Sequence, residues 1–300
     1  MPKLKIPRDV VLKTFTKPVF DVYRTTVASG FRFHVSDIIQ TEKVREFCPR
    51  EKVLWFTQPR EEMPRRITPG FELLFARGNF LHDYIRDRFA DRSDYGHTLY
   101  GWWKCRNCGH KLPESTLKKI VKKKCPTCKD KNTQSLNGIL QNKVWEYQEV
   151  DLEHPDLHIV GHPDMILYKN GQYYLYEIKS IDRADVDFGE LEEPLGDHIL
   201  QASFYYYLMK KRGLKVSPYI RYIYVDRSNS TLFKSSFMKE FTVKRSPYNR
   251  LRPFLAKVEE AGNGIKKRKL PKRICKSITC TRAKECGRAV ECFSKRSRNV

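Results

Sequence analysis

Residues 161–180 read GHPDMILYKNGQYYLYEIKS. Asn170-Gly171 is the strongest short hairpin signal, because a type I′ turn needs φ > 0 at both central residues. With those two as the loop, Lys169 pairs with Gln172. Carried outward along both strands, the same register sets Asp164 directly opposite Glu177. Like charges opposed in this way destabilise a hairpin. At about 5 Å and an effective dielectric of ~20 the repulsion is on the order of 3 kcal/mol. The arrangement therefore implies a compensating cation, a raised pKa or a different register. Along the second strand Glu177 and Lys179 lie two apart, so both share the face that carries Asp164.

One Asp and one Glu offer oxygen ligands suited to one or two Mg²⁺ or Mn²⁺ ions. Such an ion makes a neighbouring water easier to deprotonate, and a lysine beside it can position that water or offset charge developing on a phosphate. The plain alternative is a surface hairpin whose acids sit apart and whose Lys179 simply pairs with Glu177.

The rest of the chain favours the chemical reading. Lys and Arg total 58 against 35 acids, a net charge of +23 over 300 residues, which points to a polyanionic partner, most simply nucleic acid. A hydrophobic content of 40% with 12% aromatic residues supports a packed core and argues against wholesale disorder. MPKLKIPRDVV at the start lacks the apolar core of a secretory signal, and no apolar run approaches a membrane span. A cytoplasmic protein (host cytoplasm if the source is a virus) with no membrane partner is expected. In a reducing compartment the nine cysteines read as metal ligands rather than disulfides.

Those cysteines fall into three groups. Cys105-x2-Cys108 and Cys125-x2-Cys128 have the spacing of a four-cysteine zinc ribbon, with a lysine-rich stretch of 16 residues between the pairs. Four thiolates leave no open position, so this zinc would be structural. Cys275, Cys280, Cys286 and Cys292 cluster near the C-terminus, and Cys48 stands alone in EFCPRE. Thiolates drawn from both chain ends suit an iron–sulfur cluster or a second zinc, and spacing does not choose between them.

Periodicity gives a coarse outline. Residues 1–47 mix basic and β-type segments. Residues 69–91 read as a helix with Gly78, His82, Ile85 and Phe89 on one face. Residues 143–182 hold strands, 195–212 a helix stopped by Gly213, and 219–226 and 237–245 further strands. Residues 248–261 read as a helix stopped by Gly262, followed by a basic linker, NGIKKRKLPKRI. This order predicts an α/β fold built on a mixed sheet. Four regions are expected: 1–100 with the first motif helix, 101–130 as a zinc-ribbon insertion, 131–247 as the core, and 248–300 as the C-terminal helix and cysteines.

GHPD followed by EIK resembles the Asp…Glu-x-Lys core of the PD-(D/E)xK nuclease superfamily. Gly78-x3-His82 resembles the upstream helix motif of its RecB-like branch, and Gln201-x3-Tyr205 resembles the helix motif that follows the lysine strand. Cys48 with the C-terminal cysteines is similar to the iron–sulfur subgroup, which includes the exonucleases of CRISPR adaptation and certain helicase-nucleases. The resemblance spans roughly residues 36 to 293. It implies a restriction-endonuclease-like core of mixed sheet flanked by helices, into which the zinc ribbon is inserted. It implies Mg²⁺ or Mn²⁺ on His82, Asp164, Glu177 and the carbonyl of Ile178. Lys179 would act on the attacking water, with Gln201 and Tyr205 holding the architecture or the DNA strand. It also implies a 4Fe-4S cluster on Cys48 and three of Cys275, Cys280, Cys286 and Cys292. Here the chain departs from the subgroup, which usually carries three C-terminal cysteines with two and then five residues between them. This chain has four, separated by four, five and five residues.

The expected activity is a metal-dependent DNA nuclease, either an exonuclease or an end-processing enzyme of recombination, replication or repair. No G-x4-G-K-[ST] phosphate loop occurs, so any unwinding would come from a helicase or recombination protein supplied in trans. The rival expectation is a non-catalytic nucleic-acid-binding zinc protein that uses the nuclease fold as a scaffold.

Overall fold

A computed structural model describes residues 31–39, 47–58, 69–91, 98–120, 123–129, 133–134, 140–142, 144–181, 187–226 and 238–294. The β-type segments expected before residue 31 lie outside these, as does the side chain of Phe89. In chain order the elements begin with β1 (Phe33–His34), α1 (Val35–Ile38), α2 (Pro49–Thr57) and α3 (Pro69–Asp91). Then come β2 (Thr98–Cys105), β3 (Lys111–Thr116), α4 (Leu117–Ile120), β4 (Thr133–Gln134), β5 (Leu140–Asn142) and β6 (Trp145–Gln148). β7 (Leu152–His154), β8 (Ile159–Gly161), β9 (Met165–Lys169), β10 (Gln172–Ile181) and α5 (Gly196–Lys211) follow. β11 (Tyr219–Asp226), β12 (Met238–Lys244), α6 (Tyr248–Lys266), α7 (Thr281–Glu285) and α8 (Ala289–Phe293) complete the described chain.

The main sheet runs β12-β11-β10-β9-β2-β3, with β6 also paired to β2. β10 and β11 are parallel and the other pairs antiparallel, which is the mixed sheet expected. A small sheet, β7-β8-β1, lies beside it.

Alternation along the central strands sorts side chains into two cores. Leu175, Ile181, Ile220, Tyr222 and Tyr224 join one core together with Ala202, Phe204 and Leu208 of α5 and Leu251, Leu255 and Val258 of α6. Tyr176, Ile178, Ile223 and Val225 join the other, with Leu81 and Ile85 of α3 and Trp103 and Trp145 of the ribbon stem. Helices therefore cover both faces. The odd-numbered side chains of β10, Glu177 and Lys179 among them, point to the face covered by α5.

The two long helices α5 and α6 end in different ways. After α5, Gly213 sits at φ +77. Its N–H bonds the carbonyl of Lys210 at 3.0 Å, and that of Leu214 bonds Met209 at 3.1 Å; this is a Schellman stop. The helix expected to end at Gly262 instead continues to Lys266, so the first part of the supposed linker is helical. There the stop rests on Arg268 at φ +49, with Arg268 N–H on Ile265 at 3.2 Å and Lys269 N–H on Gly264 at 2.9 Å. Gly264 serves packing: a Cβ there would meet Val53 Cγ2 at 2.7 Å and Lys269 O at 2.8 Å. Glycine allows α6 to approach α2 rather than ending it.

Candidate active site

The turn takes the conformation its letters demand, with Asn170 at φ +49 and Gly171 at φ +81. The ladder runs from Gln172↔Lys169 to Tyr176↔Met165, the register expected. Asp164 is the next residue outward, in the bend that precedes β9. It does not simply face Glu177. Its Oδ2 accepts the Ile178 N–H at 2.8 Å, and its Oδ1 lies 3.3 Å from His82 Nδ1. Burial raises the Asp164 pKa, but the His82 bond and the Lys179 charge outweigh it and hold the group below the usual carboxylate range.

Glu177 lies opposite in character. It is 1% exposed, and burial with the Asp164 charge beside it pushes its pKa up to about 8. Lys179 Nζ donates to Glu177 Oε1 at 2.6 Å and to Gln201 Oε1 at 2.9 Å. Burial disfavours the ammonium, but the Glu177 and Asp164 charges prevail and raise its pKa, so it stays charged. Gln201 Nε2 then donates to the Tyr205 hydroxyl at 2.9 Å. The Tyr205 ring lies against Gly161, where a Cβ would meet Tyr205 Cε1 at 2.6 Å. A continuous chain of polar contacts thus runs Glu177–Lys179–Gln201–Tyr205, and Tyr205 returns to the start of the same GHPD segment.

Glu177 Oε2 is buried and has no hydrogen-bond partner among the described residues. An orphaned buried carboxylate oxygen costs free energy unless a cation or donor meets it. With an Asp164 oxygen it makes a hard oxygen pair of the kind Mg²⁺ or Mn²⁺ takes, and the His82 imidazole stands beside that pair. Among the described residues, this set is more open than the four-cysteine site below, which alone has all its ligand atoms within 4.8 Å.

Two neighbours were not read from the sequence. Burial and the nearby Asp164 charge raise the Glu149 pKa. Arg86 anchors it, giving Nη1 to Glu149 Oε1 at 2.8 Å, Nη2 to Asp83 Oδ1 at 2.9 Å and Nε to the His82 carbonyl at 3.3 Å. Arg86 was within reach of sequence reasoning, since it lies one turn after His82. Glu149 carried no local signal; the pairing of β6 with β2, and of β2 with β9, brings it in.

Cys105, Cys108, Cys125 and Cys128 converge. Cys105 Sγ lies 3.6 Å from Cys128 Sγ, and Cys108 Sγ lies 3.4 Å from Cys125 Sγ. Tetrahedral zinc with ~2.3 Å bonds to sulfur requires thiolates about 3.8 Å apart. This is a four-cysteine metal-binding site. Burial opposes ionisation of Cys125, but the amides of Cys128 and Thr127 and the Cys108 thiol bring it down to about 6.

At the chain ends, Cys48, Cys275, Cys286 and Cys292 line one cavity, and Cys280 hydrogen-bonds to Cys275. Arg50, two residues after Cys48, reaches the Cys292 thiol at 3.2 Å and the Pro271 carbonyl at 2.8 Å.

Comparison with known proteins places these features in a family. No curated protein matches the chain. Among solved structures it is similar to an alkaline exonuclease (LHK-Exo) from Laribacter hongkongensis, with 12% identity over 79% of this chain and 92% of that one, at a TM-score of 0.41. A complex of LHK-Exo with dAMP matches at 10% identity over 78% and 91% of the two chains, with a TM-score of 0.38. The family profile of the PD-(D/E)XK nuclease superfamily matches residues 46–287, a span that holds α2, the ribbon, the hairpin and α5. The chain belongs to the PD-(D/E)XK nuclease superfamily.

Proposed function

We propose that this protein is a divalent-metal-dependent deoxyribonuclease, acting as an exonuclease or on DNA ends. The observation that carries the proposal is the orphaned Glu177 Oε2, set between an ionised Asp164 held by His82 and a charged Lys179. His82, Asp164, Glu177 and the Ile178 carbonyl would hold Mg²⁺ or Mn²⁺. When bound, the cation supplies positive charge that eases deprotonation of water and offsets charge on the phosphate.

The protein's own groups do the rest. An ammonium has three donors. Two from Lys179 are committed to Glu177 and Gln201, which leaves one for the attacking water or a phosphate oxygen. Gln201 and Tyr205 fix that ammonium in place. Water oxygen bonds to phosphorus, a phosphorus–oxygen ester bond breaks, and the leaving oxygen takes a proton. The basic surface supplies sequence-independent phosphate contacts, so affinity falls with salt.

The four-cysteine site would hold structural Zn²⁺. Cys48 and three of the four C-terminal cysteines would hold a 4Fe-4S cluster, with zinc as the competitor. A helicase or recombination protein acting in trans would supply unwinding. Among the described residues no helix is long and apolar enough to cross a membrane, in keeping with a cytoplasmic site of action.

The test is release of nucleotides from end-labelled DNA with and without Mg²⁺ or Mn²⁺. Asp164→Ala and Lys179→Ala should each abolish cleavage and leave DNA binding largely intact. A parent protein that binds DNA but releases nothing with either metal would favour the non-catalytic scaffold instead.

A further inference from the structure

The first turn of α5 carries a histidine that the proposed reaction does not use. His198, Gln201 and Tyr205 fall at i, i+3 and i+7, on one helical face. Gln201 touches Lys179, and His198 stands about 4.5 Å further along the axis, close enough to Lys179 and Asp164 to feel both charges.

Its orientation is fixed from the sheet. Tyr224 pairs with Lys179 across the parallel β10–β11 ladder, so both side chains rise from the same face. The Tyr224 hydroxyl accepts the Leu195 N–H at 3.0 Å and lies 2.6 Å from His198 Nδ1. The backbone N–H takes one acceptor site of the oxygen, and we assign the hydroxyl hydrogen to Nδ1. The imidazole is then neutral and carries its hydrogen on Nε2. Burial and the Lys179 charge, which bring His198 down to about 4, agree with that state. Nε2 has no partner among the described residues and is not among the buried orphan atoms. It is a donor fixed in direction and open at its far end.

We propose that His198 contacts the substrate, its Nε2–H donating to a phosphate oxygen of the DNA strand beside Lys179. This rests on the nuclease reading and extends its substrate contacts. A neutral donor suits the place. Asp164 and Asp197 lie nearby; a cation here would pair with them and oppose a metal. An imidazole adds a hydrogen bond without adding charge, and Tyr224 sets its direction before the strand arrives.

The test compares the parent with His198→Phe, His198→Gln and Tyr224→Phe. Gln places a neutral N–H near the position of Nε2, and Phe removes it. His198→Phe is expected to raise KM for labelled DNA about tenfold and to weaken DNA binding in Ca²⁺, read by fluorescence anisotropy, by a similar factor. His198→Gln should stay within about threefold of the parent, and Tyr224→Phe should fall between. Mn²⁺ affinity and melting temperature should not change in His198→Phe. Equal losses in the Phe and Gln variants, or no loss in either, would overturn the contact. A fall in Mn²⁺ affinity or melting temperature that tracks the KM change would show that His198 only props the site. If the parent cleaves nothing but His198→Phe still weakens binding, the nuclease reading fails and the contact stands. If the parent cleaves and the Phe variant binds as the parent does, the contact alone fails.

Discussion

Glu177 is where the opposed acids of the hairpin meet their cost. Its pKa stands near 8, against about 4.5 for an ordinary glutamate, through burial and the Asp164 charge. The folded state therefore keeps a proton on Glu177 that the unfolded chain has already released at neutral pH. Where the folded state binds more protons, stability falls as pH rises. Without metal, the contribution of Glu177 should be fully present below about pH 4.5 and lost as pH rises through about 8. Glu177→Gln, which stays neutral, should flatten that slope in melting curves taken in EDTA. Mn²⁺ should raise the parent's melting temperature more at pH 8.5 than at pH 5.5, since the ion replaces the proton. A parent and variant with the same pH slope would sink this account of the site.

Two predictions belong to the elements. Gly161 ends β8, and the Tyr205 ring of α5 packs against it. Gly161→Ala would drive a methyl into Tyr205 Cε1 at 2.6 Å and Val35 Cγ2 at 3.0 Å. Such overpacking costs about 1–3 kcal/mol. Tyr205 would shift and loosen Gln201, and with it Lys179, so the variant should lose activity beyond its loss of stability. Activity assayed well below its melting temperature checks this; parent-like turnover would show that Tyr205 is packing alone.

The ribbon is tied to the same sheet. β2 pairs with β9 from Thr98↔Tyr168 to Tyr100↔Ile166 and ends at the ligand Cys105. Cys125→Ser should release the metal and unfold the segment around it, because structural zinc binding is coupled to folding. The acid site should keep its own Mn²⁺ affinity, since its residues lie on other elements. A variant that loses zinc yet shows unchanged hydrogen exchange from Lys104 to Lys129 would count against a structural role.

At the scale of the whole molecule, α2 is fastened to the segment that holds the last cysteines. Arg50 bonds Cys292 and Pro271. Arg288, itself 1% exposed, donates to the Gln58 carbonyl at 2.7 Å and stacks over Trp55 with its guanidinium carbon 4.2 Å from the ring centroid. Cys48 shares a cavity with Cys275, Cys286 and Cys292. Protein purified without oxygen should be brown and bleach on reduction, and Cys48→Ala should remove the colour and lower the melting temperature of the whole chain. Colourless protein with two zincs per chain would assign zinc to both sites.

The sequence alone determined whatever depends on neighbours along the chain. Asn170-Gly171 dictated the turn and hence the register, because only residues tolerant of positive φ close a two-residue loop. Two CxxC pairs dictated the four-cysteine metal-binding site, because each places two thiolates on one turn. The spacing from Gln201 to Tyr205 dictated one helical face. The stop at Gly262 misled because a glycine by itself does not end a helix: α6 runs through it to Lys266, and it is Gly264, two residues on, that the approach of α2 keeps small. Tertiary structure decided the rest of the site. His82 comes from the helix layer on one face of the sheet, and Gln201 and Tyr205 from the layer on the other. His82 meets Asp164, which lies in a bend at the strand's edge with its other oxygen spent on the Ile178 amide, while Gln201 meets Lys179 and Tyr205 meets Gln201. Glu149 joins them through strand pairings between segments distant in sequence. The buried, raised pKa of Glu177 likewise exists only once both layers have closed over it, since desolvation belongs to the packed fold and not to the order of residues.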